Sequence, residues 1–220
     1  MTATLDTDAE GAGRPALVQG PRPELSDTPS FLARVAEAGA VPTVSLGNLP
    51  RPQAETRLSK AREVLGDSSL GVFVDGGDRN HAFDGQVGLL TDDEHGPDYV
   101  FLQNAAVRVA RALQRAGLEV IYCVDSPADL GAAVDEGLRQ FTVDADNLDA
   151  SLEKLEEIAT RGVDLSRLTV LADGATGAAV QEASRRAEPT GIAVGAIISG
   201  EDYLSTNEAV ELGAISHKLQ

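Results

Sequence analysis

Residues 119–145 read EVIYCVDSPADLGAAVDEGLRQFTVDA, and their pattern predicts the fold of the chain. Two short apolar runs, 119–124 and 140–145, flank a segment that opens on Asp-Ser-Pro and places Gly137 where a helix would end. Serine and aspartate cap helix N-termini, and glycine is favoured just past a helix C-terminus. The stretch therefore predicts a strand, a helix and a second strand, which is the repeating unit of a parallel sheet.

The same alternation continues from Ala16 towards the C-terminus. Strands are predicted at 16–20, 41–47, 70–76, 98–103, 119–124, 140–145, 168–174 and 192–198, with helical periodicity in most of the segments between them. With seven crossovers and a closing helix after the last strand, this pattern predicts a compact TIM (β/α)8 barrel. Segment 77–97 lacks helical periodicity, so it predicts either a long loop or a degraded third helix.

The barrel is predicted to be a single domain over residues 15–220, preceded by a disordered acidic tail at 1–14. Branched and bulky residues fill the interior of such a barrel in layers. The residues predicted to fill it are Val18, Val44, Val72, Phe101, Ile121, Val143 and Val170.

The net charge of −17 restricts the partners of the chain. Without a basic stripe to meet phosphates, the sequence predicts no nucleic-acid binding and no attraction to an anionic membrane surface. No apolar run approaches the roughly 18 residues of a membrane span. Cys123 is the single cysteine, is predicted to be buried in a strand and allows no intrachain disulfide, which fits a cytoplasmic location.

Three stretches, 15–50, 120–145 and 191–215, carry a family resemblance. They resemble nitronate monooxygenases, the 2-nitropropane dioxygenase group of FMN barrels, and most of all the barrel domains embedded in polyketide and polyunsaturated fatty acid synthases. The resemblance implies the barrel fold, a flavin site, and synthase domains or an acyl carrier protein as partners.

The resemblance also implies that FMN is held by glycine turns after the seventh and eighth strands, here ADGATG (172–177) and IISGED (197–202). The cofactor-binding residues predicted on this basis and from the strand ends are Gln19, Gly20, Gly174, Gly177, Ser199 and Gly200. Asp173, Glu201 and Asp202 stand beside these glycines, and a negative neighbour opposes phosphate binding.

A second departure concerns the sixth strand, after which the family carries a glycine-histidine turn. Here the strand continues into DNLDASLEKLEEI, and the histidines are His81, His95 and His217. Two hypotheses follow. The chain is a barrel with a degenerate flavin site and a structural or interaction role without a cofactor, or it is an FMN-dependent oxidoreductase of the nitronate monooxygenase or enoyl reductase type with a divergent site. No catalytic residue is predicted.

Other polar patterns have two interpretations each. Strand-end aspartates could bind a divalent metal, but capping of helix N-termini explains them and is preferred, so no metal site is predicted; these are Asp75, Asp125, Asp144, Asp146 and Asp173. Ser26 and Asp27 could form a polar dyad, or Asp27 or Thr28 could cap a helix that begins at Pro29. Asp75 could be a catalytic carboxylate or a loop residue. The arginines 108, 111 and 115 could form a partner-binding face or a solvated helix face.

Overall fold

The computed structural model describes residues 17–19, 28–91, 96–174 and 177–198. The predicted acidic tail and the predicted closing helix lie outside these residues. Eight strands alternate with seven helices along the described part of the chain. The strands are β1 (Leu17–Gln19), β2 (Thr43–Ser45), β3 (Gly71–Asp75), β4 (Tyr99–Gln103), β5 (Glu119–Cys123), β6 (Gln140–Asp144), β7 (Thr169–Asp173) and β8 (Ala193–Ile198). The helices are α1 (Pro29–Glu37), α2 (Arg51–Leu65), α3 (Phe83–Leu90), α4 (Val107–Arg115), α5 (Pro127–Asp135), α6 (Leu148–Thr160) and α7 (Gly177–Ala187).

All strands belong to one parallel sheet, in the order β1-β8-β7-β6-β5-β4-β3-β2. A further parallel bridge joins Val18 of β1 to Val41, just before β2. One helix lies in sequence between each pair of consecutive strands, as expected where parallel strands are joined by crossovers. The predicted α/β architecture of alternating strands and helices is confirmed.

The buried side chains form two separate clusters, one on each face of the sheet. The larger cluster joins the sheet to the helices and includes Leu58, Leu113, Leu130 and Leu155. The smaller one contains Val18, Tyr99, Phe101, Ile121, Leu171 and Ile197, with Val41, Phe73 and Cys123 packed against it. Its members come from strands far apart in the sheet order, so the sheet curves around this second cluster.

The burial predicted for the interior residues is confirmed, because all seven are at most 2% exposed. Their predicted common location is wrong for four of them. Val18, Phe101 and Ile121 belong to the inner cluster, whereas Val44, Val72, Val143 and Val170 pack in the helix-facing cluster. Successive strand residues point to opposite faces, and a parallel strand that is covered on both faces is apolar on both.

Segment 77–97 contains the eight-residue helix α3, so the alternative of a short third helix is the one observed. Two buried amides fix its position. Asn80 Nδ2 donates to Asp75 O at 2.7 Å and to Gln86 Oε1 at 2.8 Å, and Gln86 Nε2 donates to Gly47 O at 3.0 Å and Leu49 O at 2.9 Å. The loop after β3 is thereby joined to the loop after β2. The buried glutamine and the glycines of FDGQVGLL explain why no helical apolar pattern is visible there.

Candidate functional site

A cavity of about 310 Å³ opens at the carboxyl ends of the central strands. In a TIM-type fold this edge of the sheet carries the functional residues. The lining residues are Phe73, Gln103, Cys123, Val124, Asp125, Thr142, Val143, Asp144, Asn147, Asp173 and Ile197. We call this the mouth cavity.

Two of its carboxylates lie side by side. Asp144 and Asp173 are the last residues of β6 and β7 and are register partners in this parallel pair. Partial desolvation raises the pKa of Asp173, and the neighbouring negative charge of Asp144 raises it further, while a hydrogen bond from the backbone N–H of Gly174 opposes the shift. The carboxylates of Asp144 and Asp173 therefore repel each other when both are ionised.

Basic side chains do not neutralise these carboxylates within the part of the chain that the structure describes. None of the salt bridges there involves Asp125, Asp144 or Asp173. All three side chains are exposed at the cavity edge. The described residues therefore give the mouth cavity a negative potential, which attracts cations and repels anions.

The floor of the cavity is less polar than its edge. Phe73 is half-buried, and its ring stacks on that of Phe101 with centroids 4.5 Å apart. Thr142 is 7% exposed and Ile197 is 1% exposed. Burial raises the pKa of the Cys123 thiol to about 12, and a hydrogen bond with Thr142 lowers it only in part. Cys123 is consequently a neutral thiol at pH 7. It ends β5, as predicted, but it is half-buried and lines the cavity.

One strand-end aspartate and a neighbouring serine cap helices, as the capping interpretation predicts. Asp144 Oδ1 accepts a hydrogen bond from the N–H of Asp146 at 2.8 Å, which caps a short 3₁₀ helix before α6. Ser126 caps α5 by accepting a hydrogen bond from the N–H of Asp129 at 3.2 Å. Among the described residues, no group of three or more histidine, cysteine, aspartate or glutamate side chains is placed to hold a metal ion.

Asp75 is the last residue of β3 and does not line the mouth cavity. Its Oδ1 accepts hydrogen bonds from the N–H of Gly77 at 2.9 Å and from Asn104 Nδ2 at 3.0 Å. Asn104 has a φ of 51°, which asparagine tolerates better than most residues. These bonds join the loop after β3 to the residue after β4, so Asp75 has a visible structural role in holding the loop that follows its strand.

The structure describes the start of α1 and two arginines on the basic face of α4. Helix α1 has Thr28 at its N-cap position without a side-chain cap bond, and Pro29 is its first residue, as predicted. Ser26 and Asp27 lie outside the described residues.

On α4, Arg111 pairs with Glu136 at 3.5 Å and Arg115 Nε donates to the carbonyl of Arg111 at 3.1 Å.

The predicted cofactor-binding residues are only partly described. Gly174 follows β7 with a φ of 73°, and its N–H donates to Ile197 O at 3.3 Å. Gly177 begins α7, and Gln19 ends β1 as the register partner of Ile198. Gly20, Ser199 and Gly200, with Glu201 and Asp202, lie outside the described residues. Of the histidines, His81 is exposed in the turn before α3 and does not line the mouth cavity.

Sequence reasoning missed the floor of the site. Cys123 was predicted only as a buried strand residue, and Phe73, Thr142 and Ile197 were not predicted as site residues. A usable signal existed, because Thr142 and Asp144 lie two residues apart on β6 and therefore on one face. The position two residues before each strand-end aspartate is thus a candidate for the floor.

The comparisons with known proteins concern the fold. No protein-family model matches the chain, and no curated protein matches it in sequence. Among solved structures, a nitroalkane oxidase from Streptomyces ansochromogenes superposes with a TM-score of 0.63 at 17% identity, covering 84% of this chain and 64% of the other. A mutant of FabK from Thermotoga maritima gives a TM-score of 0.61 at 18% identity, covering 84% of this chain and 61% of the other.

YagE from E. coli K12, of the dihydrodipicolinic acid synthase family, was solved in complex with pyruvate. It gives a TM-score of 0.60 at 12% identity, covering 94% of this chain and 76% of the other. The chain spans less than two-thirds of the nitroalkane oxidase and FabK structures. Within the described residues, none of the helices has the length and apolar character needed to cross a membrane. At these identities the likeness concerns the fold alone, and it shows an α/β arrangement of parallel strands and intervening helices similar to that of TIM-barrel proteins.

Proposed function

We propose that this protein is a barrel of the nitronate monooxygenase type whose flavin site is degenerate, with a structural or interaction role in place of catalysis. One observation carries the proposal. The carboxylates of Asp144 and Asp173 lie together at the ends of β6 and β7, next to the turn where the resemblance places the FMN phosphate.

The physical argument is electrostatic. A phosphate at a glycine turn is held by backbone N–H groups and by the positive end of a helix dipole. Here the N–H of Gly174 is directed to Asp173 and to Ile197 O, so it is already engaged. Each carboxylate near the turn repels the negative charge of a phosphate, and solvent screening reduces this repulsion because both side chains are exposed. The two carboxylates and the engaged N–H of Gly174 together oppose binding of an anionic cofactor.

We further propose that the sheet closes into a complete eight-stranded barrel. The bridge between Val18 and Val41 supports closure, because it connects the two ends of the strand order. The inner cluster supports it as well, since it brings Val18 of β1 together with Phe101 of β4.

An FMN-dependent oxidoreductase with a divergent site is the second candidate. Gly174 keeps the left-handed conformation of a tight turn, and α7 begins three residues later at Gly177. This arrangement of a glycine turn before a helix N-terminus is one that holds phosphates in other proteins.

The two candidates are separated by the visible spectrum and an FMN titration of the purified protein. The degenerate site predicts a colourless protein that does not quench FMN fluorescence. The variant Asp173→Gly with Glu201→Thr and Asp202→Ala removes three negative charges and should acquire weak binding. The variant Glu55→Gln with Glu63→Gln and Asp67→Asn removes three negative charges at exposed positions on α2 and in the turn after it, and is the control for net charge. A yellow wild-type protein would overturn the degenerate site and favour the oxidoreductase instead.

The association with polyketide or fatty acid synthase domains, or with an acyl carrier protein, is proposed from the sequence resemblance. A cytoplasmic location is proposed from the lone cysteine and the acidic composition. Co-purification of tagged protein with synthase subunits tests the first proposal, and fractionation of the producing cells tests the second.

A further inference from the structure

We propose that the mouth cavity binds a small organic cation, namely a primary ammonium group carried on a short aromatic or aliphatic body. The inference rests on the proposed function in one respect, which is that a flavin does not fill this cavity. It goes beyond that proposal because it assigns a ligand class to the site.

The size and the apolar floor of the cavity point to a ligand independently of its charge. Its volume of about 310 Å³ lies at the lower end of the range of about 300–1,000 Å³ for ligand sites. The half-buried ring of Phe73 and the side chain of Ile197 line it. Concave sites with an apolar wall and a few polar groups are typical of small-molecule binding. The floor therefore suits the apolar body of a ligand.

The edge of the cavity determines the charge of that ligand. Asp144 and Asp173 are neighbours, Asp125 belongs to the same lining, and basic side chains of the described residues do not pair with them. An ammonium group between Asp144 and Asp173 would form charge-assisted hydrogen bonds and relieve the repulsion between the two carboxylates. The carboxylate of an anionic ligand would meet no basic side chain among the described residues that line the cavity.

The arrangement also fixes the orientation of the ligand. Thr142 lies two residues before Asp144 on the same face of β6, and Leu171 has the same relation to Asp173 on β7. An ammonium at the strand ends would leave the attached body directed to the floor, where Phe73 stacks on Phe101.

The probe is benzylammonium at pH 7, with benzyl alcohol as the neutral analogue of similar shape and benzoate as the anion. Binding is followed by amide chemical shifts of the ¹⁵N-labelled full chain. Saturable shifts are expected at the amides of Cys123, Thr142 and Asp173 with benzylammonium, with affinity for benzyl alcohol lower by at least about tenfold. Benzoate should give no saturable shifts at these amides.

Substitutions of the cavity carboxylates test whether benzylammonium binds at the mouth cavity. Asp144→Asn with Asp173→Asn should weaken benzylammonium by at least about tenfold, whereas Glu63→Gln with Asp67→Asn should not. If the double variant at the mouth does not fold, Asp173→Asn alone serves, because its side chain is exposed and the amide oxygen can still accept from Gly174. Equal binding of the alcohol, absence of shifts with benzylammonium, or equal weakening by the control variant would overturn the inference.

A parallel FMN titration keeps this inference distinct from the proposed function. FMN binding would overturn the degenerate flavin site and, with it, the premise that a flavin does not fill the cavity. Failure of benzylammonium to bind to a protein that also rejects FMN would overturn the cation site alone.

Discussion

The two faces of the sheet are packed by different kinds of side chain. The helix-facing side is built from aliphatic residues such as Val72, Val143 and Val170, which need only bulk to meet the leucines of the helices. The inner side combines the rings of Tyr99 and Phe101 with Ile121, Leu171 and Ile197. Side chains from strands across the sheet meet there, so their sizes must be matched to each other, and changes on this face are expected to cost more.

The inner face also changes character along the strands. On β6 its positions are Gln140, Thr142 and Asp144, and on β7 they are Thr169, Leu171 and Asp173. At one end Gln140 Oε1 and Thr169 Oγ1 are buried without a hydrogen-bond partner, and at the other the two aspartates form the edge of the mouth cavity. The alternation of side chains along β6 and β7 therefore places both the inner core residues and the aspartates of the candidate site on one face of the sheet.

Truncation of the fully buried inner ring of Phe101 gives the largest expected effect. Phe101 is fully buried and stacks on Phe73, so Phe101→Ala is expected to lower the free energy of unfolding by about 3–5 kcal/mol. Urea denaturation followed by circular dichroism measures the change. A loss smaller than that of the helix-facing Val170→Ala would contradict the greater demand on the inner face.

The fold could be predicted from sequence because strand and helix periodicities repeat along most of the chain. The face of each strand residue could not, since Val72 and Phe101 are equally apolar and equally buried. The register between β3 and β4 assigns the faces. Phe73 pairs with Phe101 and Val72 pairs with Val100, and successive residues of a strand lie on opposite faces. The helix α3 was also hidden, because its buried Gln86 is held by hydrogen bonds and not by apolar contacts.

The edge of the candidate site was predictable and its floor was not. Asp125, Asp144 and Asp173 were predicted at strand ends, where chain order alone brings them to one edge of the sheet. Phe73 and Cys123 line the same cavity because the sheet curves, and curvature depends on contacts between distant strands. A single sequence does not contain that information in a local pattern.

Val170→Ala tests the helix-facing side. Val170 is completely buried in the larger cluster, so the substitution should destabilise the protein by about 2 kcal/mol, less than the Leu→Ala range because fewer methyl groups are removed. The melting temperature and the urea midpoint should both fall. An unchanged midpoint would show that the neighbouring helices collapse onto the smaller side chain without cost.

Gly71→Ala tests how tightly the inner face is filled. A Cβ at Gly71 would lie 2.8 Å from Phe101 Cε2 and 2.8 Å from Thr43 Cγ2, and both neighbours are buried. The expected destabilisation is about 1–2 kcal/mol. Gly85→Ala in α3 is the matched control, because its Cβ would meet only Arg51 Cβ at 3.6 Å and alanine favours a helix. The two substitutions should therefore change stability in opposite directions.

A double-mutant cycle identifies the neighbour responsible. In the background of Phe101→Leu, the cost of Gly71→Ala should decrease, since the ring edge that opposes the new methyl group is removed. Additive effects would show that Phe101 does not restrict this position.

The smallest expected effect is at the mouth, where Asp144→Asn removes one of two neighbouring negative charges. The pKa of Asp173 should fall towards its ordinary value, and ¹³C NMR titration of the carboxyl groups measures it. Since the raised pKa means that the folded state disfavours the ionised carboxylate, this unfavourable contribution is absent at low pH and grows as the pH rises through the carboxyl range. The variant should consequently be more stable at pH 7 by less than about 1 kcal/mol, because both side chains are exposed. The gain should shrink in 1 M salt, where the screening length is about 3 Å. A lower stability of the variant at pH 7 in both salt conditions would show that the cap on the N–H of Asp146 outweighs the repulsion between the carboxylates.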